Sequence, residues 1–215
     1  MPEPADLRPV RLDLMAEGLS EALAPEDPVE LFDEWLAGAT GLGMHNANAM
    51  AIATADRRGR PSVRNVLLRG RIDGGLAFYT NYESQKGREL IANPVAEALF
   101  SWLPLERQVR FSGPVHRATP EQSDAYFGGR DRESRISAIA SDQSREIPSR
   151  DALVARHEEI DDGLRGADPV RPDHWGGFVL VPERIEFWQG REHRLHDRLV
   201  YQRRGDAWSL TRLAP

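Results

Sequence analysis

The chain has 215 residues, 40% of them hydrophobic, and a formal net charge of -6. That is enough for one domain with a core, since single β-rich domains commonly reach roughly 200–250 residues, and the negative balance argues against general nucleic-acid binding, which needs excess cations. No apolar run approaches the roughly 18–20 residues of a membrane span, no basic and apolar leader opens the chain, and the lack of cysteine excludes disulfides and thiolate metal sites, so a cytoplasmic protein with no membrane partner is expected.

Residues 1–25 mix proline, charge and short apolar patches and read as a flexible N-terminal arm, followed by a single domain over 26–215. A helix is predicted from Asp27 as N-cap and Pro28 at the first position, with Val29, Leu31, Phe32, Trp35 and Leu36 at helical spacing. The period then changes to two. Strands are predicted over 49–54, 62–71 and 76–80, joined by turns at 56–61 and at Asp73-Gly74-Gly75. A short helix over 84–92 stops before Pro94, and strands over 95–102 and 107–117 flank a turn at Leu103-Pro104. Thr119 caps a helix over 120–127, and another runs over 150–164. The last third returns to strands at 176–181, 185–189, 198–203 and 207–212, with Gly205-Asp206 as the final turn. Short strands joined by tight turns indicate a mainly β, α+β antiparallel barrel with flanking helices. No Gly-x-Gly-x-x-Gly or phosphate-loop pattern is present.

Several strands carry charge where a barrel should be buried. Arg64 and Arg69 bracket Val66-Leu67-Leu68, Gln108 and Arg110 alternate with Val109 and Phe111, and Arg194, His196 and Arg198 recur at period two, as if on one face of an extended segment. A solvated strand would show the same pattern, but three such strands in one barrel suit a dianionic phosphate, which guanidinium groups bind in bidentate fashion. Of the 28 basic residues only Lys86 is lysine. It closes Thr80-Asn81-Tyr82-Glu83-Ser84-Gln85-Lys86, where hydroxyls, a helix N-terminus and an ammonium converge as an anion site. Residues 126–134, with Tyr126, Arg130 and Ser134, supply a second set of phosphate-compatible donors, so a phosphorylated cofactor and a phosphorylated substrate are expected. The histidines have no metal-ligand spacing, and no Gly-x-Ser-x-Gly elbow is present.

Arg64-Asn65-Val66-Leu67-Leu68-Arg69, Phe78-Tyr79-Thr80-Asn81, Glu106-Arg107-Gln108-Val109, Gln143-Ser144, Trp175-Gly176-Gly177-Phe178 and Ile185-Glu186-Phe187-Trp188-Gln189-Gly190, followed by His193-Arg194-Leu195-His196-Asp197-Arg198, resemble the pyridoxine/pyridoxamine 5′-phosphate oxidase family. The resemblance runs from about Asp27 to Pro215 and implies an FMN-binding split β-barrel, with Greek-key connections, that forms a homodimer with FMN at the interface. It implies FMN contacts from Arg64, Asn65, Val66, Leu67, Leu68, Arg69, Tyr79, Thr80, Lys86, Gln108, Gln143, Ser144, Trp188 and Arg198. It implies that Arg69, Tyr126, Arg130 and Ser134 hold the phosphate of a small pyridine substrate, and that Arg194 and His196 act catalytically over the ring. The implied reaction converts pyridoxamine or pyridoxine 5′-phosphate to pyridoxal 5′-phosphate by hydride transfer to flavin N5, with O2 reoxidising the flavin to give H2O2.

Three positions depart from the family pattern. Arg69 stands where the family has a lysine, Gln85 where an arginine usually helps hold the FMN phosphate, and Arg11-Leu12-Asp13-Leu14 lacks the tyrosine of an Arg-x-x-Tyr element. Two alternatives follow: a phenazine-biosynthesis type of flavin oxidase acting on a reduced tricyclic compound, and a flavin-binding protein without turnover. Retention of Tyr126, Arg130 and Ser134 disfavours the first, and retention of Arg194 and His196 the second.

Overall fold

The computed structural model describes residues 6–215. Two helices, α1 (Arg8–Glu17) and α2 (Pro28–Gly41), precede β1 (Ala49–Ala55), β2 (Pro61–Leu67), β3 (Arg71–Ile72) and β4 (Gly75–Asn81). Then come α3 (Gln85–Ala92), β5 (Val95–Trp102), β6 (Arg107–Arg117), α4 (Pro120–Gly128), α5 (Arg132–Ala140) and α6 (Arg150–Leu164). Strands β7 (Trp175–Leu180), β8 (Arg184–Gln189), β9 (Asp197–Arg204) and β10 (Ala207–Arg212) complete the chain.

All strand pairings are antiparallel, and the order along the main path is β10-β9-β8-β6-β5-β1-β2. The 11-residue β6 pairs β5 along one edge and serves two partners along the other, β8 over its first half and β7 near its end. Because β7 also pairs β4, and Arg69 and Gly70 exchange backbone bonds with Ala77 of β4, the path curls back and closes a barrel. Strands β8, β9 and β10 continue off β6 as a second wing. The architecture is therefore the split barrel expected.

Helix α2 forms because Asp27 accepts a bond from the Val29 amide and Pro28 fixes the first turn. Its Phe32 and Trp35 enter the barrel, where Phe32 meets Phe100 and Phe111 at 4.8 Å and Trp35 meets Phe187 edge-on at 5.4 Å. Thr119 and Gln122 make a reciprocal capping box at α4.

Three expectations need correction, and one helix was not expected. The predicted strand over 62–71 is two strands, β2 and β3. Gly70, at φ +104°, lets the chain leave β1 and cross to β4. The segment carrying Arg194 and His196 is not extended either: Glu192–Arg194 is a 3-10 turn, and His193 and Arg194 sit at φ +55° and +61°. The arm holds a ten-residue helix, α1, whose Leu14, with neighbouring Leu7 and Val10, packs on the core; its first five residues lie outside the described ones. Residues 132–140, the first three of which fall in the donor segment 126–134 and for which no element was predicted, form α5, capped by Asp131 through the Ser134 amide.

Candidate functional site

A cavity of about 830 Å3 lies where the end of β2, β4, the start of α3, and α4 to α6 meet. Ligand pockets usually fall in a range of roughly 300–1,000 Å3. Of the residues proposed from the sequence, Asn65, Val66, Leu67, Arg69, Tyr79, Thr80, Lys86, Tyr126, Arg130, Ser134 and Gln143 line it.

The polar end of the cavity is organised by Lys86, which is only 8% exposed. Ser84 caps α3 by accepting from the Gly87 amide, which brings Lys86 back beneath the end of β4. There its ammonium donates to Gln143 Oε1 at 2.7 Å and to Thr80 Oγ1 at 3.0 Å. Burial, and then the nearby Arg64 guanidinium, push the Lys86 ammonium down to about 8, against a weaker opposing pull from Glu89. This cation makes hydrogen bonds to neutral groups and none to a carboxylate among the described residues, an arrangement suited to an incoming anion.

The other end is aromatic and cationic. Tyr79 and Tyr126 stack at 3.8 Å with an interplanar angle of 10°, and Trp175 continues the stack 6.2 Å from Tyr126. Arg130 lies over the Trp175 ring at 4.9 Å, and its Nη1 is buried with no hydrogen-bond partner among the described residues. Burial first, and also the charge of Arg69, disfavour the Arg130 cation, while Tyr126 and Asp131 pull the other way. A buried guanidinium nitrogen without an acceptor is costly unless an anion supplies one. Ser134 stands in the first turn of α5, its amide donating to Asp131 Oδ1 at 2.8 Å, at a helix end of the kind that favours negative charge.

Six of the proposed cofactor residues lie outside the cavity lining, Arg64, Leu68 and Ser144 among them. Arg64 turns back to Thr54, Ser62, the Ile52 carbonyl and buried Glu89. Glu89 also accepts from Gln85 Nε2 at 2.9 Å, so the glutamine that departs from the family pattern serves this carboxylate. Leu68 is a core residue, 8% exposed. Ser144 accepts from the Gln85 amide at 3.1 Å.

The remaining five form a separate group on the other wing. Gln108, Trp188 and Arg198 are directly opposite one another across β6, β8 and β9. His196 packs on Trp188 with ring centroids 4.7 Å apart, and Arg194 is exposed on the turn beside it. None of the five lines the cavity, and β1, β5 and β6 separate β2 from β8 along the sheet path.

Arg198 is held from beneath by Glu186, one pair along on the same face and 3% exposed. Glu186 also contacts Arg184 at 2.7 Å and Arg110 at 3.6 Å. Burial works to raise this carboxyl, but hydrogen bonds from Arg184 and Arg198 and the charges of Arg198 and Arg110 outweigh it and hold the group below the usual carboxylate range. Glu186→Ala is therefore expected to lower unfolding free energy by about 1–3 kcal/mol, because three partly solvated guanidinium groups lose their shared anion. Urea denaturation checks this, and a loss below about 1 kcal/mol would contradict the packing described.

Apart from Ser134, sequence reasoning missed the cavity residues supplied by α5 and α6, among them Ser137, Leu153 and His157. The Asp131 cap and the spacing of Ile136, Ile139 and Ala140 were the available signal for α5. For α6, whose residues are all at least partly exposed, no sequence signal marked which side faces the cavity.

Residues 43–162 match the family model described as pyridoxamine 5′-phosphate oxidase, and residues 175–215 match that of the pyridoxine 5′-phosphate oxidase C-terminal dimerisation region. The chain is 53% identical over 190 residues to the pyridoxine/pyridoxamine 5′-phosphate oxidase of Paraburkholderia phymatum, covering 88% of this chain and 89% of that one. It is 48% identical to the protein of the same name from Rubrobacter xylanophilus, over the full length of both. Among solved structures, PhzG from Burkholderia lata in complex with tetrahydrophenazine-1-carboxylic acid superposes with a TM-score of 0.84 at 35% identity, covering 92% of this chain and 98% of that one. A pyridoxamine 5′-phosphate oxidase-related, FMN binding protein from Nostoc punctiforme shares the fold, with a TM-score of 0.68 at 18% identity over 92% of this chain and all of the other. The split barrel, the cavity and these identities over most or all of the chain together place it in the pyridoxine/pyridoxamine 5′-phosphate oxidase family.

Proposed function

We propose that the protein is an FMN-dependent oxidase converting pyridoxamine or pyridoxine 5′-phosphate to pyridoxal 5′-phosphate. The observation that carries this reading is the pair of cationic ends in one cavity: Lys86 at one, and at the other, beside Arg69, Arg130 with an Nη1 that has no partner among the described residues. Two phosphorylated molecules would satisfy both ends.

The donor set fits FMN. Lys86, Thr80 and Gln143 would meet its phosphate end, and Asn65 to Leu67 offer strand backbone alongside. FMN, when bound, supplies the hydride acceptor at N5, and O2 restores it with release of H2O2. The chain's own residues would bind and orient. Arg69, Arg130, Ser134 and Tyr126 would hold the substrate phosphate, with the Tyr79–Tyr126–Trp175 stack excluding water from the ring. Arg194 and His196 would face the reacting C4′ carbon, orienting it and assisting charge or proton movement.

That last role requires a second copy. Gln108, Trp188, Arg194, His196 and Arg198 stand on the wing opposite the cavity, so a homodimer would bring one protomer's wing to its partner's cavity. The match of residues 175–215 to a dimerisation region supports this arrangement.

The likeness to PhzG, with Leu14 and Gln85, favours one second reading: oxidation of a reduced tricyclic carboxylic acid. The phosphate-compatible end of the cavity and the higher identity to the vitamin B6 oxidases weigh for the first. Aerobic incubation of the FMN-loaded protein with pyridoxamine 5′-phosphate tests it: stoichiometric aldehyde and H2O2 are expected, and absence of both with FMN bound would overturn it.

A further inference from the structure

The turn bearing Arg194 and His196 is held at both ends by the N-terminal segment. Asp197, immediately after His196, accepts the Leu19 amide through Oδ2 at 3.0 Å and pairs with Arg212 of β10 through Oδ1. Arg212 also donates to the Leu19 carbonyl at 2.8 Å and to Glu21 at 2.8 Å. At the other end of the turn, Arg191 Nη1 donates to the Ala16 carbonyl at 3.1 Å, its Nε lies 3.6 Å from Asp197, and its backbone amide donates to His196 Nδ1 at 3.1 Å.

Gly18 lets the chain come this close. Its φ is +69°, and a Cβ there would lie 1.9 Å from Arg191 Nη1 and 2.6 Å from Asp197 Oδ2. Within the turn, His193 and Arg194 are both left-handed, a conformation costing about 1–3 kcal/mol per residue that persists only where surrounding structure imposes it. The Leu195 amide to Glu192 carbonyl bond, 3.1 Å, is the internal backbone tie of the turn, whereas the bonds fixing its ends reach Ala16, Leu19 and Arg212.

We propose that Asp197, with Gly18 and Arg212, clamps the N-terminal segment to this turn and thereby sets the position of Arg194 and His196. Asp197 is a positioning residue: it acts through the turn, and the segment from Ala16 to Glu21 is part of the catalytic framework rather than a trailing arm. The inference rests on the reading of Arg194 and His196 as the substrate-facing pair.

The test compares wild type with Gly18→Ala and Asp197→Asn. Amide hydrogen exchange across residues 191–196 is measured without flavin, FMN affinity by quenching of flavin fluorescence, and kcat and KM with pyridoxine 5′-phosphate. Exchange in the turn should speed up by about tenfold or more in both variants. FMN affinity should stay within about twofold, since the cavity residues are untouched. Turnover should fall by about 10²-fold, carried by kcat, as expected for misplaced reacting groups. Wild-type exchange in the turn of either variant overturns the proposal, as does a parallel loss of melting temperature, FMN affinity and turnover. If Asp197→Asn does not fold, Gly18→Ala decides alone. A wild type that binds FMN but does not oxidise the substrate would refute the functional reading, while the exchange data still decide the clamp.

Discussion

Arg194→Ala is expected to lower kcat for pyridoxine 5′-phosphate by about 10²–10⁴-fold, the span usual for loss of a positioned acid–base or charge-stabilising group. FMN affinity should change by less than about threefold, because Arg194 is exposed on its turn and lies outside the cavity. Alanine at φ +61° is no more strained than arginine, so the backbone is not perturbed by the exchange. Stopped-flow reduction and fluorescence titration separate the two quantities. Equal losses in both would mean that Arg194 holds the flavin and does not act on substrate.

Lys86→Met should show the converse behaviour. Losing a charge-assisted hydrogen bond of about 1.5–3 kcal/mol raises the FMN Kd roughly 10- to 100-fold. A bound substrate would still meet Arg69 and Arg130, so kcat at saturating FMN should fall much less. The pH dependence supplies a sharper signature. With the ammonium pushed down to about 8, Lys86 in the flavin-free protein is charged below that pH and neutral above it. FMN affinity should therefore fall as pH rises through about 8. The FMN phosphate, with its second pKa near about 6, stays dianionic throughout. Binding the dianion favours the ammonium, so the loss extends upward from pH 8. In Lys86→Met the dependence over this range should disappear, and its persistence would assign the titration to another group.

The legible parts of this molecule were those fixed by local chemistry. Asp27-Pro28, Ser84 and Thr119 named their helices because a cap is a short-range hydrogen bond between a side chain and amides two or three residues on. Period-two alternation gave the strands of the barrel for the same reason. What escaped the reading depends on distant partners. Helix α1 has no side-chain cap among the described residues and exists in contact with the core, and the turn at 192–194 is flanked by Arg191 and Asp197, whose bonds reach Ala16 and Leu19, some 175 residues earlier.

The site divides in the same way. Lys86 stood out as a lone lysine, and its burial against Thr80 and Gln143 gives that oddity a physical setting. Spacing alone, by contrast, groups Arg64 with Arg69. Its engagement by Glu89, Thr54 and Ser62 follows from the packing of α3 on β1 and β2, which spacing along β2 does not encode. The separation of Trp188, Arg194 and His196 from the cavity has a similar origin. The sequence sets both groups in one chain without saying that they stand on opposite wings.

The most direct test of the account is anaerobic mixing of the FMN-loaded protein with pyridoxine 5′-phosphate, followed at the flavin absorption band. Bleaching at a rate that saturates with substrate is the predicted result. A flavin that stays oxidised with both pyridoxine and pyridoxamine 5′-phosphate, yet is reduced by a dihydrophenazine carboxylic acid, would contradict it.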